Sequence, residues 1–437
     1  MSRTLPAGHH SYPASVVHRA PAGDGTSMTA MRVIFVEPSF PSNQRQFVRA
    51  LAEIGAEVIG IGESPEDFLD DQLKSWMSHY HQVRSVVDVD EMTDAVRWLQ
   101  DKVWIDRLEA VIESHTLPAA QVRERCTIPG TSVRTTWLCR DKPSMKDALR
   151  AVGVPTAAST AADNADQVWE FANAVGYPLI LKPRAGAGAL DTTRVDGSAE
   201  LEEALGMFGG QSVSSIAVEE FVEGHEGFYD TMSIDGTPAL DFVSHYFPNV
   251  LEAMRTRWIS PQFLSTNRVD AVEDYGQLRE LGHRVNEALG IGTSATHMEW
   301  FFGPKGLRFS EIGCRPPGVG AWDLYSAGND LDVYREWAHA IVHGSVSAQP
   351  SRRFATGIVA LRPERDGHIT GYSGVEEIQA RYGEWVLDSH LPGPGTSTQG
   401  PEAGYMANAY VRMRHHDYDV LRQMLDDVGR TVHVYAT

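Results

Sequence analysis

Two glutamates near residue 300 have the types and spacing of a site for a cation and a phosphate. Glu299 lies in the stretch MEWFF, Glu311 lies in RFSEIGCRPPG, and Arg315 follows four residues later. Each stretch is typical of a strand, so the two carboxylates are expected on neighbouring strands. Carboxylates bind Mg²⁺, and an arginine binds phosphate oxygens. The alternative is a charged pair on the solvent side of a hairpin, and this segment alone does not exclude it.

A lysine and a glycine-containing loop lie upstream, in YPLILKPRAGAGAL. A predicted apolar strand over 179–181 leads into Lys182, and the loop after it carries Gly186 and Gly188. Glycines let backbone N–H groups approach phosphate oxygens, and the lysine adds a positive charge. The segment is neither a Walker loop nor a G-x-G-x-x-G fingerprint. A surface hairpin is the alternative, so the loop alone is weak evidence for nucleotide binding.

A third segment, SIAVEEFVEGHEG, follows a predicted strand that ends at Glu219 and Glu220. The chain then crosses Val222 and reaches Glu226 just after Gly224. An adenine ring needs an apolar slot with main-chain donors and acceptors at its edge, and a ribose needs a carboxylate for its hydroxyls. The segment can supply both, although acidic residues flanking an ordinary turn are the alternative.

The order of these landmarks is more specific than any one of them. Asp141 and Lys142 come first, followed by Lys182 with its glycines, the E-E-F-V-x-G-x-E segment, and the glutamates that end in E-I-x-x-R-P-x-G. In this order, over residues 135–345, the chain resembles the ATP-grasp superfamily, and within it the carboxylate–amine ligases such as the amino-acid ligases. The resemblance implies ATP and two Mg²⁺ ions as cofactors, with Mn²⁺ as an alternative metal.

The resemblance also implies a role for each landmark. The phosphates, adenine and ribose of ATP would be bound by Lys142, Lys182, Gly186, Gly188, Glu219, Glu220, Val222 and Glu226. In this set Glu220 and Val222 would act through their main chains. Glu299 and Glu311 would hold the metal, with Glu311 bridging both ions. Arg315 and Lys182 are the expected catalytic residues, because they would steady the phosphoryl groups during transfer.

The sequence departs from the family pattern at Gly313. Many members have an asparagine two residues after the second glutamate, where it completes the metal shell. With glycine at this position, either water fills the vacancy or the second ion is held less tightly. The sequence leaves both alternatives open.

These parts predict one reaction. Lysines and cations that neutralise the phosphates allow the γ-phosphoryl group to pass to a bound carboxylate, because such catalysis is mostly positioning and charge stabilisation. An amine would then attack the acyl phosphate and give an amide, ADP and phosphate. The alternatives are a carboxylase or formyl-phosphate enzyme of the same superfamily, or a nucleotide-binding regulatory protein without turnover. The expected partners are small-molecule carboxylates and amines, and a homodimer would be usual for the family.

Composition narrows the class of protein. The formal net charge of −20 over 437 residues argues against nucleic acid or an anionic membrane as the main partner. No apolar run approaches the roughly 20 residues of a membrane span. Cys126, Cys139 and Cys314 are far apart in sequence and form no C-x-x-C pair, which argues against a metal-thiolate or redox site. A cytoplasmic enzyme is therefore expected.

Four segments are predicted, of mixed α/β and α+β class. Residues 1–30 have no periodicity and are expected to be a disordered leader. Residues 31–135 alternate strands and helices, which predicts a doubly wound parallel sheet. Residues 136–345 would form the ATP-grasp domain, with a lid over about 151–222. Residues 346–437 resemble the small, sheet-rich carboxyl-terminal domain of such ligases.

Several elements must position the site. Asp141 is expected to cap a helix through Leu149, which places Lys142 at its positive end. Further helices are predicted over 165–175, 274–289 and 331–342, and a strand over 110–112. Ligands of open α/β sheets bind at the carboxyl ends of strands. The loop after the first strand therefore makes Glu37 and Ser42 candidates for holding the substrate.

Overall fold

The computed structural model describes residues 30–184, 192–209 and 215–437, with no side chains described at 207–209. Residues 31–437 form one compact unit. The predicted leader, except for Ala30, and the loop glycines Gly186 and Gly188 lie outside the described residues. Within the described ranges, no helix is long and apolar enough to cross a membrane.

The amino-terminal part is a four-stranded parallel sheet with helices on both faces. Its elements are β1 Arg32–Val36, α1 Gln44–Glu53, β2 Glu57–Gly62, a 3₁₀ turn Glu66–Phe68, α2 Asp71–Ser75, β3 His79–Gln82, α3 Val89–Gln100, β4 Arg107–Glu109, α4 Glu113–Arg125 and α5 Val133–Leu138. The strand order is β3-β2-β1-β4. Alternate residues of β1 face opposite sides: Val33 and Phe35 pack with α1, and Ile34 and Val36 pack with α3 and α4. This arrangement confirms the predicted doubly wound layer.

The strand predicted over 110–112 is wrong. The fourth strand is β4, which pairs with β1 from Val33 opposite Arg107 to Phe35 opposite Glu109. After Glu109 the chain leaves the sheet, and Ile112 is already the residue that precedes α4. The apolar side chain of Val111 is buried by tertiary packing and not by strand pairing. Apolar character alone therefore misplaced the strand by three residues.

The next segment forms a separate small antiparallel sheet. Its elements are α6 Lys142–Ala151, β5 Ser159–Ala162, α7 Ala165–Val175, β6 Leu179–Pro183, β7 Thr193–Val195, α8 Ser198–Gly209 and β8 Ile216–Glu220. The strand order is β5-β8-β6-β7. The predicted cap of α6 is confirmed, because the Asp141 side chain accepts a hydrogen bond from the Ser144 N–H at 3.1 Å. The predicted helix over 165–175 is α7, with the same bounds.

The rest of the chain builds an eight-stranded antiparallel sheet and a separate two-stranded sheet. Its first half consists of β9 His225–Ile234, β10 Thr237–Phe247, α9 Val250–Ala253, β11 Gln262–Ser265, α10 Asp274–Leu289, β12 Ser294–Gly303, β13 Gly306–Gly313, α11 Ala321–Asn329 and α12 Val333–His343. The second half consists of β14 Ala355–Leu361, β15 Ile369–Ser373, α13 Val375–Tyr382, β16 Val386–His390, β17 Ala409–His415, α14 Tyr418–Thr431 and β18 His433–Ala436, with short 3₁₀ turns at Gly383–Trp385 and Pro401–Ala403. The predicted helices over 274–289 and 331–342 correspond to α10 and α12.

The strand order of this sheet is β13-β12-β9-β10-β11-β14-β17-β16, and β15 pairs with β18 apart from it. Strands from the predicted carboxyl-terminal domain thus extend the sheet of the predicted ATP-grasp domain. The proposed domain boundaries stay predictions.

An aromatic cluster joins the amino-terminal layer to the central part of the chain. The Phe47 ring on α1 lies 5.2 Å from the Trp322 ring and 5.0 Å from those of Tyr334 and Trp337, measured between centroids. Arg49 extends the contact through an ion pair with Asp332 at 2.7 Å. The position of the parallel sheet relative to the antiparallel sheet depends on this packing.

Replacing Phe47 by alanine is expected to lower the free energy of unfolding by about 3–5 kcal/mol, because it opens a cavity among three other rings. Denaturant unfolding monitored by circular dichroism measures the change. The matched control is Phe68→Ala, since the Phe68 side chain is 82% exposed, and it should change the stability by less than about 0.5 kcal/mol. Equal effects of the two substitutions would contradict the proposed packing role.

Candidate active site

A cleft of about 460 Å³ lies between the small antiparallel sheet and the central sheet. It brings together every predicted nucleotide and metal residue that the structure describes: Lys142, Lys182, Glu219, Glu220, Val222, Glu226, Glu299 and Glu311. Arg315 lies outside this lining, in a small adjoining pocket that it shares with Lys142 and Glu311. Residues far apart in sequence thus converge on one site, in the grouping that the sequence predicted.

The two predicted metal carboxylates lie directly opposite each other. Glu299 on β12 pairs in register with Glu311 on β13, and opposite side chains on one face of such a pair are near neighbours. The strand alternation fixes their direction, because Met298 and Trp300 point into the core on the other face. Both glutamates therefore face the cleft, and the solvent-exposed hairpin alternative is wrong.

The pKa values of Glu299 and Glu311 shift in opposite directions. Burial raises the pKa of Glu299, and the negative charges of Glu311 and Glu226 raise it further. Burial would also raise the pKa of Glu311, but Lys142 and Lys182 outweigh it and lower that pKa. Within the described residues, no cluster of three or more His, Cys, Asp or Glu side chains could hold a metal. Two crowded carboxylates fit a divalent cation that takes its remaining ligands from phosphates and water.

Three lysines surround the carboxylates. Lys142 is the first residue of α6, and its Nζ lies 3.2 Å from Glu311 Oε2. Lys182 Nζ on β6 lies 2.9 Å from Glu219 Oε2 and 3.8 Å from Glu311 Oε2. Although burial opposes it, the surrounding carboxylates raise the pKa of Lys182, so this lysine stays charged. The positive charge needed for phosphates is therefore in place.

The third lysine, Lys146, is a residue that the sequence analysis missed. Its side chain is 1% exposed, and its Nζ lies 2.6 Å from Glu219 Oε2. Burial lowers the pKa of Lys146 to about 8, in spite of the attraction of Glu219. Burial would raise the pKa of Glu219, but Lys146 and Lys182 lower it to about 2. The i, i+4 spacing from Lys142 on one helix face was the signal that could have identified Lys146.

One carboxylate oxygen in the cleft has no partner. Glu219 Oε2 forms ion pairs with both Lys146 and Lys182. Glu219 Oε1 is buried and has no hydrogen bond among the described residues. Such an acceptor is costly unless a ligand supplies a donor. The neighbouring Glu220 side chain is already bonded to Lys305 and to the Ala158 N–H. This geometry suits the predicted roles, with Glu219 acting through its side chain and Glu220 through its main chain.

Glu226 lies on the opposite wall of the cleft. Its Oε2 accepts a hydrogen bond from the Val250 N–H at 2.6 Å, and burial raises its pKa. The position at the edge of the cleft is compatible with the predicted ribose contact.

Arg315 is held by a glutamate from the amino-terminal layer. Its Nε lies 2.8 Å from Oε2 of Glu113, the first residue of α4, and Arg140 Nη1 lies 3.3 Å from Glu113 Oε1. A Cβ at Gly313 would lie 3.3 Å from Glu113 Oε2. The Glu113 carboxylate thus lies beside the position where many family members carry an asparagine. No sequence signal indicated Glu113, because its proximity depends on how the two sheets pack.

His297 lies on the same strand as Glu299 and contacts its carboxylate. Its Nδ1 lies 2.7 Å from Asp230 Oδ1, and its Nε2 lies 3.9 Å from Glu299 Oε1. The buried Tyr325 hydroxyl donates to the other oxygen of Asp230. This chain fixes the orientation of the imidazole next to Glu299, which is the structural role expected for such a histidine.

The remaining candidates differ in their placement. Glu37 lies at the carboxyl end of β1 with a positive φ of 54°, and its carboxylate accepts from Ser39 Oγ and the Glu63 N–H. Burial lowers the pKa of His115, although the nearby Glu37 and Glu63 act in the opposite direction. Glu37 therefore belongs to an acidic group at this sheet edge, whereas Ser42 is exposed.

Two cysteines that are distant in sequence also meet beside the site. Cys314 donates its thiol hydrogen toward Cys139, and the two Sγ atoms are 2.7 Å apart across 175 residues of sequence. The sequence argument against a metal-thiolate or redox site used spacing along the chain, and it did not anticipate that these two cysteines lie close together. Cys139 ends α5 and Cys314 follows β13, so their encounter results from the packing of those elements.

Comparisons with known proteins agree with this site. Residues 141–227 match the family model of the ATP-binding domain of the carbamoyl-phosphate synthase L chain. An L-arginine-specific L-amino acid ligase of Bacillus subtilis is 25% identical over 333 residues, which are 72% of this chain and 76% of that protein. A formate-dependent phosphoribosylglycinamide formyltransferase of Parabacteroides distasonis is 25% identical over 304 residues, 68% of this chain and 72% of that protein.

The fold has a solved counterpart. The crystal structure of an L-amino acid ligase from Bacillus licheniformis superimposes with a TM-score of 0.73 at 18% identity, covering 93% of this chain and 99% of the other. The predicted ATP-grasp fold is confirmed. The sequence relatives are named as a ligase and a formyltransferase, which supports the prediction of an ATP-grasp ligase.

Replacing Lys146 by methionine is expected to weaken ATP binding by about 10- to 100-fold, because a hydrogen bond to a charged group is worth about 1.5–3 kcal/mol. The substitution removes one of two cations that hold Glu219 ionised at the cleft wall. Isothermal titration with ATP measures the change, and thermal unfolding checks that the variant is folded. Lys74→Met, which removes a surface ion pair with Asp71, is the control. Unchanged ATP affinity in the Lys146 variant would contradict this role.

Proposed function

We propose that the protein activates the carboxylate of an amino acid as an acyl phosphate and transfers the acyl group to an amine. The observation that carries this proposal is the Arg315–Glu113–Arg140 cluster at the Glu311 end of the cleft. The cluster combines cations and an anion beside the residues that would hold the phosphates. An α-amino acid has the complementary pair of charges.

The nucleotide half of the proposal rests on the charges in the cleft. Lys142 and Lys182 would bind phosphate oxygens, and the unpartnered Glu219 Oε1 would accept from the amino group of adenine. Glu299 and Glu311 would hold Mg²⁺, which when bound neutralises phosphate charge during transfer.

The acid half rests on ion pairs that a substrate can exchange. Arg315 and Glu113 are partly buried and already paired with each other. A zwitterionic amino acid would offer its carboxylate to Arg315 and its ammonium to Glu113, so neither charge would stay unpaired in the cleft. Formate and bicarbonate carry no cation for Glu113. The geometry therefore favours an amino acid over the acids of the alternative reactions.

The amine half rests on the charge of the amino-terminal sheet edge. Glu37 and Glu63 follow β1 and β2, whose carboxyl ends meet at one edge because the strands are parallel. Negative charge here attracts an ammonium group and repels a phosphate. This disfavours a phosphoribosyl substrate of the kind named for the Parabacteroides relative. A free amino compound is the better match for this edge.

Hydroxylamine provides a direct test of the acyl phosphate. With Mg²⁺-ATP, hydroxylamine and one amino acid from a panel of twenty, we expect ADP release together with a hydroxamate of that amino acid. Glu311→Gln should lower the rate by at least about 100-fold, because the charge stabilisation by a metal is worth several kcal/mol. Glu384→Gln, at an exposed position, is the matched control and should retain the full rate.

Other outcomes identify the alternatives. Formyl hydroxamate from formate, with none from amino acids, would favour the formyl-phosphate reaction. ADP release that depends on bicarbonate would favour a carboxylase. ATP binding without ADP release under any of these conditions would favour a nucleotide-binding protein without turnover.

Replacing Glu113 by glutamine is expected to raise the KM for the amino acid by about 10- to 100-fold while leaving the KM for ATP unchanged. The neutral amide would no longer pair with the substrate ammonium. Initial rates of ADP release with each substrate varied in turn separate the two constants. Glu124→Gln, an exposed substitution on the same helix, is the control. An equal rise in both KM values would indicate a general structural defect and would remove the support for this substrate site.

A further inference from the structure

Cys139 and Cys314 are close enough to react with each other. Their Sγ atoms are 2.7 Å apart, and a covalent S–S bond is about 2.05 Å long. Both residues are free cysteines in the structure. Cys139 is buried and Cys314 is partly exposed, so Cys314 is the more accessible of the two residues. Cys139 lines the small pocket that contains Lys142, Glu311 and Arg315, and Cys314 lines a second small pocket on the other side of Arg315. A pair with one accessible thiol and one adjacent partner is the usual arrangement for a reversible disulfide.

The pair occupies a sensitive position. Cys139 directly precedes Arg140, and Cys314 directly precedes Arg315. Those two arginines hold opposite oxygens of Glu113. A bond between the sulfurs would therefore tie together the two chain segments that present the arginines. The third cysteine, Cys126, is buried on α4's carboxyl-terminal side, and its Sγ contacts the Thr93 carbonyl oxygen.

We propose that Cys139 and Cys314 are a redox-modification site, which forms an intramolecular disulfide when the protein meets a peroxide. The Cys314 thiol loses its proton and the thiolate attacks one peroxide oxygen, so that the O–O bond breaks and a sulfenic acid forms. The departing hydroxide takes up the proton released by the thiol and leaves as water. Cys139 sulfur then attacks the Cys314 sulfur and displaces its hydroxyl, which leaves as a second water with the Cys139 proton. Two thiols lose two electrons in total, and hydrogen peroxide is reduced to two waters.

The disulfide is expected to affect the acid-binding half of the site, a consequence that rests on the proposed function. The exchange of Glu113 for a substrate carboxylate requires Arg315 to turn away from its present partner. The S–S bond fixes the backbone of residue 314 to that of residue 139 and so restricts this turn. Oxidation should therefore raise the KM for the amino acid several-fold and leave the KM for ATP unchanged, and a dithiol reductant should reverse the change.

The first experiment measures the bond without reference to activity. The full-length protein is reduced, exposed to hydrogen peroxide, treated with N-ethylmaleimide and analysed by intact mass and by peptide mapping. We expect a product lighter by two hydrogen atoms, a cross-link between the peptides that carry Cys139 and Cys314, and one remaining thiol at Cys126. Cys126→Ser, the matched control, should form the same cross-link. Because this readout needs no substrate, it can succeed even if the proposed function is wrong.

The single substitutions complete the test. Cys139→Ser and Cys314→Ser should each abolish the cross-link, and circular dichroism establishes that both are folded. The inference is overturned if the oxidised protein keeps three alkylatable thiols, or if Cys314 proceeds to a sulfinic acid in the intact pair without cross-linking. A cross-link with no change in the KM for the amino acid would overturn only the stated effect on substrate binding.

Discussion

The site depends on a chain of buried opposite charges. Glu219 bridges Lys146 and Lys182, and Glu311 in turn contacts Lys182 and Lys142. An unpaired charge buried in this position would be strongly destabilising, because it would lose its hydration without gaining a partner of opposite charge. The alternation of cations and carboxylates makes their burial tolerable. It also places three lysines in the cleft, which suits a site for a polyanionic nucleotide.

The same charges connect the elements of the fold. Lys142 and Lys146 come from α6, Lys182 and Glu219 from the small sheet, and Glu311 from the central sheet, so the network joins three elements. Arg184 makes a second connection between these elements. Its guanidinium donates to both carboxylate oxygens of Asp141, and its backbone carbonyl accepts a hydrogen bond from the Lys142 N–H. The walls of the cleft are thereby fixed in relation to each other before any ligand binds, which is the preorganisation that electrostatic catalysis requires.

The amino-terminal layer contributes the carboxylate of Glu113, which pairs with Arg315 beside the cleft. Phe47 in this layer packs against rings of α11 and α12, and Glu113 at the start of α4 reaches Arg315. The absence of a side chain at Gly313 leaves room for that carboxylate. The glycine that departs from the family pattern in the sequence thus lies beside an ion pair between the two layers in the structure. The proposed acid-binding half of the site is shared between two layers, because Glu113 comes from one and Arg315 follows a strand of the other.

Local patterns in the sequence determined much of this protein. Strand alternation aimed Glu299 and Glu311 the same way and the cap of α6 placed Lys142, since both depend on residues close in sequence. The order of the motifs along the chain indicated the ATP-grasp fold. Tertiary structure decided the rest. Glu113 beside Arg315 and Cys139 beside Cys314 meet across 202 and 175 residues. Such contacts follow from how separate layers pack, and that packing is set by the burial of whole faces, which no local pattern records.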